Sequence, residues 1–191
     1  AEKLRKKIDL KKAQVPPLPS LSIGNTETVY VTAVDKDRNA VSFISSIYMH
    51  FGSGIVVDGT GIVFQNRGKS FSLDPKHLNR LEPHKRPMHT IMPGMAFKEG
   101  EFLMSFGVMG ADMQPQGHVQ FLINLIDFKM NLQEAMDAPR GRHLQGMEVY
   151  LEDGIPEEIA STLQGKGHQI IQGTPALNQV GGGQAIFLDR S

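Results

Sequence analysis

One short segment with regular alternation limits the folds open to this chain. From residue 28 to residue 34 the side chains follow the two-residue period of a β-strand. Residues 35–39 are polar turn formers, and residues 40–44 return as a second apolar run. The segment therefore predicts a β-hairpin with Val29, Val31 and Ala33 on one face and Tyr30, Thr32 and Val34 on the other.

The rest of the chain mixes both kinds of element. Apolar residues at three- and four-residue spacing predict helices over 116–130, 132–138 and 156–164. Further strands are predicted over 55–57, 62–64, 90–97, 102–106, 149–151, 168–172 and 181–188. Residues 107–112 form a glycine-bearing turn from a strand into a helix. The pattern by itself gives the α+β class.

The first residues differ in composition from the remainder. Residues 1–14 predict a solvated basic helix, and a nucleic-acid arm lacks the interleaved aromatic residues that would support it. Residues 15–23 contain three prolines and predict an extended linker. The chain does not begin with Met, and its start resembles the interior of a longer protein. Localisation cannot be read from such a start, although a cytoplasmic location is favoured.

Composition excludes several classes of function. There are no cysteines, and hence no disulfide framework, thiolate metal site or cysteine nucleophile. Twenty basic and twenty acidic residues give no reason to expect a nucleic-acid partner. No apolar run reaches the roughly 20 residues of a membrane span. The histidines show no metal-ligand spacing, and we expect neither a metal nor a cofactor.

Five ordered sequence blocks carry a resemblance to a known family. They are residues 28–42, 51–54, 61–68, 85–94 and 131–140. Together they resemble the small subunit of the γ-glutamyltranspeptidases (glutathione hydrolases), and within that family the cephalosporin-acylase-like, γ-glutamyltransferase-related branch. The similarity runs in the family's order over roughly residues 1 to 188. One block would be weak support, but five in order are specific.

The resemblance implies a fold and a division of the chain. The fold is an N-terminal-nucleophile hydrolase, a four-layer α-β-β-α sandwich of which this chain would form the small-subunit half. Residues 1–27 would be the end of the large subunit with its linker, and residues 28–191 the catalytic region. A large subunit from the same precursor is then the expected partner, and a further strand is expected after Ser191.

The resemblance also assigns Thr28 the role of nucleophile. A threonine hydroxyl needs a neighbouring base. Cleavage of the Glu27–Thr28 bond would supply one, since the new α-amino group, with a pKa of about 8, can accept the hydroxyl proton. Thr26 is a competing start two residues earlier, but the spacing to Asp35 favours Thr28. Without the resemblance to the family, Thr28 would be interpreted as an ordinary strand residue.

Three further positions match catalytic residues of the family. Ser46 lies where a hydroxyl hydrogen-bonds the threonine amine, although it could also be a plain polar residue at a strand end. Gly110 and Ala111 match the glycine pair whose N–H groups form the oxyanion hole. Ala111 departs from the second glycine, and we expect it to retain the donor if its φ is negative.

Four positions match substrate contacts, all four depart from the transpeptidase residues, and the departures at Tyr48 and Ser70 matter most. His89 and Thr90 lie where two serines contact the substrate carboxylate, with packing an equal alternative for His89. Tyr48 replaces an asparagine. Ser70 replaces the aspartate that holds the γ-glutamyl ammonium, and a buried ammonium without a counter-charge costs several kcal/mol. These changes favour an N-acyl group without an ammonium, such as glutaryl, unless the large subunit supplies a carboxylate.

The sequence therefore predicts a self-processing amide hydrolase or acyltransferase that acts on γ-glutamyl or related N-acyl substrates. The alternative is a γ-glutamyltransferase-related fragment that is never processed and has no activity of its own. The sequence does not distinguish hydrolysis from transfer, and it does not identify the acceptor.

Overall fold

The computed structural model of the protein describes residues 2–15, 26–173 and 180–189. The helices are α1 (Glu2–Arg5), α2 (Met113–Ile126), α3 (Leu132–Asp137) and α4 (Glu157–Gly165), with a 3-10 helix over Arg67–Ser70. The strands are β1 (Thr26–Val34), β2 (Ala40–Met49), β3 (Gly94–Lys98), β4 (Glu101–Val108), β5 (Gly141–His143), β6 (Glu148–Glu152), β7 (Gln169–Gly173) and β8 (Gly183–Phe187). None of the described helices is long and apolar enough to cross a membrane.

The first two strands form the predicted hairpin. β1 and β2 pair antiparallel. In the turn between them, the Asp35 carboxylate accepts hydrogen bonds from the backbone N–H groups of Asp37 and Asn39, both at 2.9 Å. The predicted alternation is confirmed, because Tyr30 is 2% exposed while Val29 is 62% exposed. One face of the hairpin is therefore buried and the other lies open.

The buried face of the hairpin packs on a sheet with the strand order β3-β4-β8. Hydroxyl groups join the two layers. The Tyr30 hydroxyl lies 2.8 Å from Ser42 Oγ and 3.1 Å from Ser105 Oγ, and Thr32 Oγ1 donates to Ser105 Oγ at 2.7 Å. A Cβ at Gly107 would come within 2.6 Å of the Tyr30 ring, so this glycine permits the close approach.

The opposite face of β4 is apolar and carries the helices. Met104 and Phe106 pack with Phe121 of α2 and Ala135 of α3 in the main core cluster. The order of layers is therefore hairpin, sheet and helices, which is three layers of the predicted α-β-β-α sandwich. The α+β class is confirmed.

A third sheet has the order β5-β6-β7, with β6 and β7 parallel and joined through α4. Arg140 connects this sheet to the strand β8. Its backbone N–H donates to Glu152 Oε2 at 2.7 Å, and its buried guanidinium donates to the carbonyl oxygens of Gly181, at 3.0 Å, and Met136.

Some predicted elements differ from those observed. Residues 55–57 and 62–64 form a single bridge between Val56 and Val63 rather than two strands, and β5 was not predicted. The helix predicted over 116–130 begins earlier and ends at Ile126. It ends there because the Phe128 N–H bonds the Ile123 carbonyl at 3.1 Å and Lys129 adopts a left-handed φ of 58°.

The start of the chain also differs from its prediction. Only Glu2–Arg5 is helical, because the Asp9 carboxylate accepts the Lys11 N–H at 2.8 Å in a turn. Ala13 is then buried, and its N–H donates to the Lys166 carbonyl at 2.8 Å, just after α4. Most of the predicted linker lies outside the described residues.

Candidate active site

Thr28 lies in β1 at a change of strand register. Glu27 pairs with Tyr48 and Val29 pairs with Ser45, and the register shifts between these two pairs. Thr28 lies at the shift, opposite Ser46 and Ile47 on the neighbouring strand, and its side chain is half-buried. Bulges of this kind re-aim a side chain and are common next to active sites. The predicted nucleophile and its predicted supporting hydroxyl are therefore neighbours.

The end of β2 beside Thr28 has an unusual backbone. Tyr48 is buried and has a φ of 78°, which is sparsely populated for a bulky residue. Its N–H donates to Ser46 Oγ at 3.0 Å. Such a conformation costs on the order of 1–3 kcal/mol and persists only when surrounding contacts fix it, as commonly occurs at functional sites.

Arg67 connects three segments of the candidate site. It is 6% exposed, and its Nη1 donates to Thr90 Oγ1 at 2.9 Å. Its Nη2 lies 3.5 Å from the Ser46 carbonyl oxygen, and its guanidinium lies 5.4 Å from the centre of the Tyr48 ring. Burial lowers the pKa of Arg67, an effect that the Tyr48 hydroxyl partly offsets. Arg67 thus contacts three of the predicted site residues directly.

The other predicted substrate contacts lie close by in different settings. Ser70 ends the same 3-10 helix, and its hydroxyl donates to the Arg67 carbonyl at 2.8 Å. Thr90 is buried against Arg67, whereas His89 is exposed. Ser70 provides no carboxylate, so this position offers no counter-charge for an ammonium.

The predicted oxyanion hole lies in the turn from β4 to α2. Gly110 has a φ of 116° and Ala111 a φ of 50°. Ala111 therefore does not meet the condition of a negative φ, and the left-handed conformation costs an alanine about 1 kcal/mol. Within the described residues, no acceptor bonds the N–H of Gly110 or of Ala111. The turn is anchored from behind by the Met109 N–H, which donates to the Gly182 carbonyl at 2.8 Å.

Asp112 links this turn electrostatically to the hairpin. Burial raises the pKa of the Asp112 carboxyl, and the Arg142 guanidinium partly offsets that effect. The pKa of Tyr48 is raised by burial and, secondarily, by the Asp112 charge, with Arg67 acting in the opposite direction. Tyr48 is therefore close enough to both Arg67 and Asp112 for each charge to affect its pKa.

Sequence reasoning missed Arg67 and Asp112. Arg67 lies within one of the five blocks, but a charged residue in a polar loop reads as solvent-exposed. Its burial depends on contacts with residues 46 and 90, which are far away in the sequence. The glycine turn at 181–183 allows a close backbone approach, since a Cβ at Gly181 would lie 2.0 Å from the Met109 carbonyl oxygen.

A separate pocket of about 530 Å³ lies between α3 and the start of β8. Leu132, Met136, Arg140 and Gly181 are among its lining residues, and it contains none of the predicted site residues. Within the described ranges, no three histidine, aspartate or glutamate side chains cluster in a way that could hold a metal ion.

Comparisons with known proteins identify relatives of this chain. The chain is 38% identical over 161 residues to the glutathione hydrolase-like YwrD proenzyme of Bacillus subtilis, a match that covers 81% of this chain and 30% of that protein. It is 47% identical over 117 residues to the oxamate amidohydrolase proenzyme of Klebsiella pneumoniae, covering 61% of this chain and 22% of that protein. The chain thus spans less than a third of the length of either relative.

A solved structure shows the same fold. The cephalosporin acylase from Bacillus halodurans superposes with a TM-score of 0.84 at 47% identity, over 98% of this chain and 34% of that one. The family model described as gamma-glutamyltranspeptidase matches residues 1–191. The chain therefore belongs to the gamma-glutamyltranspeptidase family.

Proposed function

We propose that the protein containing this chain is a self-processing amide hydrolase or acyltransferase with Thr28 as its N-terminal nucleophile. The observation that supports the proposal is the register shift between Glu27 and Val29, where Thr28 lies opposite Ser46 and Ile47 of β2. The names of the two relatives, both proenzymes, also support a precursor that is cut before it acts.

Processing would begin with the Thr28 hydroxyl. Its oxygen attacks the Glu27 carbonyl carbon, the peptide C–N bond breaks, and Glu27 is held as an ester on Thr28. Water then hydrolyses the ester, which releases the Glu27 carboxylate and restores the hydroxyl. The Thr28 α-amino group is now free. With a pKa of about 8, it is partly unprotonated at neutral pH and can serve as a base.

Turnover would use the same atoms on a substrate amide. The α-amino group accepts the Thr28 hydroxyl proton while the oxygen attacks the acyl carbonyl. The N–H groups of Gly110 and Ala111 donate to the developing oxyanion. The leaving amine takes the proton, and the acyl group stays on Thr28 until water or an acceptor amine removes it. No step requires a cofactor.

The proposed substrates are γ-glutamyl or related N-acyl amides, with acyl groups that lack an ammonium favoured. Ser70 supplies no negative charge, and its hydroxyl bonds the backbone carbonyl of Arg67, whose side chain is buried. The name of the Klebsiella relative denotes a substrate with a carboxylate beside its amide, and the names of other relatives denote glutathione hydrolases and acylases.

The proposed partner is the large subunit of the same precursor. The outer face of the hairpin is apolar and open, with Val29 62%, Val31 50%, Val41 53% and Phe43 57% exposed. A contiguous apolar face of this kind marks a surface that another segment covers. The missing outer helix layer of the sandwich would cover it, in line with the greater length of the relatives. The division into residues 1–27 and 28–191 remains a prediction.

The direct test is intact mass spectrometry of the full-length precursor after incubation. We expect the wild-type precursor to yield a fragment that begins at Thr28, and Thr28→Ala to remain whole. Thr26→Ala is the matched control, because it removes the competing threonine two residues earlier and should be processed like the wild type. A fragment that begins at residue 26 would instead identify Thr26 as the nucleophile.

The rival function predicts a different result. If the protein is an inactive relative that is never processed, its wild-type precursor would remain uncut. It would also release no amine from any acyl amide. That result, obtained with a folded full-length precursor, would overturn the proposed activity while the family membership stands.

A further inference from the structure

The charge balance around Arg67 is unusual for a buried guanidinium. Its described partners are the Thr90 hydroxyl, the Ser46 carbonyl oxygen and the face of the Tyr48 ring, all of which are uncharged. Among the side chains that the structure describes, no carboxylate lies within ion-pair distance of it. A buried charge is costly unless it is paired, so this site favours a bound anion.

We infer that Arg67 determines substrate specificity by pairing with a carboxylate on the acyl group that Thr28 attacks. The inference rests on the proposed function and makes its substrate class more specific. A guanidinium presents a planar fork of N–H donors that suits a carboxylate, and two of these donor atoms already define its orientation against Thr90 and Ser46.

The position of Arg67 limits the length of the acyl group. Its Nη2 lies 3.5 Å from the carbonyl oxygen of Ser46, and Thr28 lies opposite Ser46 and Ile47 on the paired strand. Residues that face each other on neighbouring strands lie about 5 Å apart. The distance from the guanidinium to the Thr28 hydroxyl is therefore on the order of 10 Å. A short dicarboxylic half-amide, of glutaryl length or shorter, spans such a gap.

The same charge acts against γ-glutamyl groups. A γ-glutamyl chain carries an ammonium beside its carboxylate, and an ammonium near Arg67 would be repelled. Ser70 contributes a hydroxyl that is already used as a donor to the Arg67 carbonyl, not a carboxylate that could offset the repulsion. The site therefore selects for a carboxylate and against an adjacent ammonium.

Arg67 could instead have a purely structural role, which predicts different kinetics from a role in binding the carboxylate. A pair of matched substrates distinguishes these two roles. The matured full-length protein would be assayed with glutaryl-p-nitroanilide and with pentanoyl-p-nitroanilide, which has the same chain length without the terminal carboxylate. We expect wild type to prefer the glutaryl substrate by about 100-fold in kcat/KM, the size of a charge-assisted pair. Arg67→Gln should abolish the preference through KM, so that the loss of glutaryl activity exceeds any loss of pentanoyl activity by about 100-fold.

Two variants serve as controls. Lys69→Gln removes an exposed positive charge from the same 3-10 helix and should keep the wild-type preference. Arg67→Lys keeps the charge but loses the fork of donors, and should keep part of the preference. If Arg67→Gln instead lowers both activities equally, Arg67 only holds the loops together and the inference is overturned.

A binding measurement decides the point independently of catalysis. Calorimetric titration of the unprocessed Thr28→Ala precursor with glutarate should show binding that Arg67→Gln weakens by about 100-fold. Absence of glutarate binding would overturn the role of Arg67 even if amide hydrolysis is observed. The protein could also bind glutarate through Arg67 and yet neither process itself nor hydrolyse amides. That outcome would support the anion site and reject only the proposed function.

Discussion

The two ends of the β1–β2 hairpin are stabilised in different ways, the turn by local contacts and the other end by contacts with distant segments. At the turn, the Asp35 carboxylate accepts two backbone N–H groups and the side-chain amide of Asn39 at 2.8 Å, all within five residues and in solvent. At the other end, the register shifts at Thr28, Tyr48 has a φ of 78°, and Arg67 is buried without a described carboxylate partner.

The difference separates folding from function within one hairpin. The turn satisfies its polar groups locally and can form without help from distant residues. The other end depends on segments around residues 67, 90 and 110 to hold a strained, buried arrangement. Strain of this kind is kept where a site requires it, and substitutions at the two ends should therefore affect different measurements.

The largest expected effect is at the strained end. Ser46→Ala removes the hydroxyl that accepts the Tyr48 N–H beside Thr28. We expect processing and amide turnover to fall by about 100-fold, because in the proposed mechanism this hydroxyl supports the nucleophile and its base. Mass spectrometry over time and steady-state kinetics measure the two rates. Turnover at the wild-type rate would show that Ser46 is only a polar residue at the end of a strand.

The same substitution in the middle of β2 should affect stability instead. The Ser42 hydroxyl donates to the Gly94 carbonyl at 3.0 Å and contacts the Tyr30 hydroxyl at 2.8 Å. Ser42→Ala should lower the free energy of unfolding by about 1–2 kcal/mol and leave turnover unchanged. Urea unfolding of the Thr28→Ala precursor, with and without the substitution, tests this. A loss of turnover comparable to that of Ser46→Ala would contradict the division between the two regions.

A substitution in the turn itself should increase the stability of the protein. Arg38 has a φ of 65° in solvent, and its contact with Glu101 at 3.8 Å joins two exposed side chains. Arg38→Gly should raise the free energy of unfolding by about 0.5–1 kcal/mol, because glycine adopts this conformation without a steric cost. Arg38→Ala loses the ion pair but keeps the strain, so a gain in both variants would argue against strain as the cause.

The smallest effect is electrostatic and depends on pH. Hydrogen bonds, first from the Asn39 side chain, lower the pKa of the Asp35 carboxyl below its ordinary value of 3.8. The folded state therefore favours the charged form, and this stabilisation is complete above the ordinary pKa and is lost as the pH falls through the folded pKa.

Asp35→Asn keeps the shape of the side chain and removes the charge. Its Tm should lie slightly below that of the parent at pH 7, and the gap should close as the pH falls below about 3.8. Thermal unfolding at several pH values measures the gap. A gap that stays constant with pH would mean that the charge of Asp35 contributes nothing.

Local pattern accounts for much of the fold but for little of the geometry of the site. The hairpin, α3 and the glycine turn before α2 followed from periodicity and turn chemistry that act within a few residues. The boundaries of α2 did not, because a left-handed Lys129 ends the helix while the apolar spacing continues to Met130. The left-handed φ of Ala111 likewise could not be read from an alanine in the sequence.

The sequence by itself determined the hairpin, the α+β class and the family, since these depend on short-range periodicity and on ordered blocks of residues. Only the tertiary structure decided that Arg67 is buried against Thr90 and Ser46 and that Tyr48 is held in a left-handed conformation. Burial and backbone strain depend on which distant segments pack together, and that information is not present in any local window of the chain.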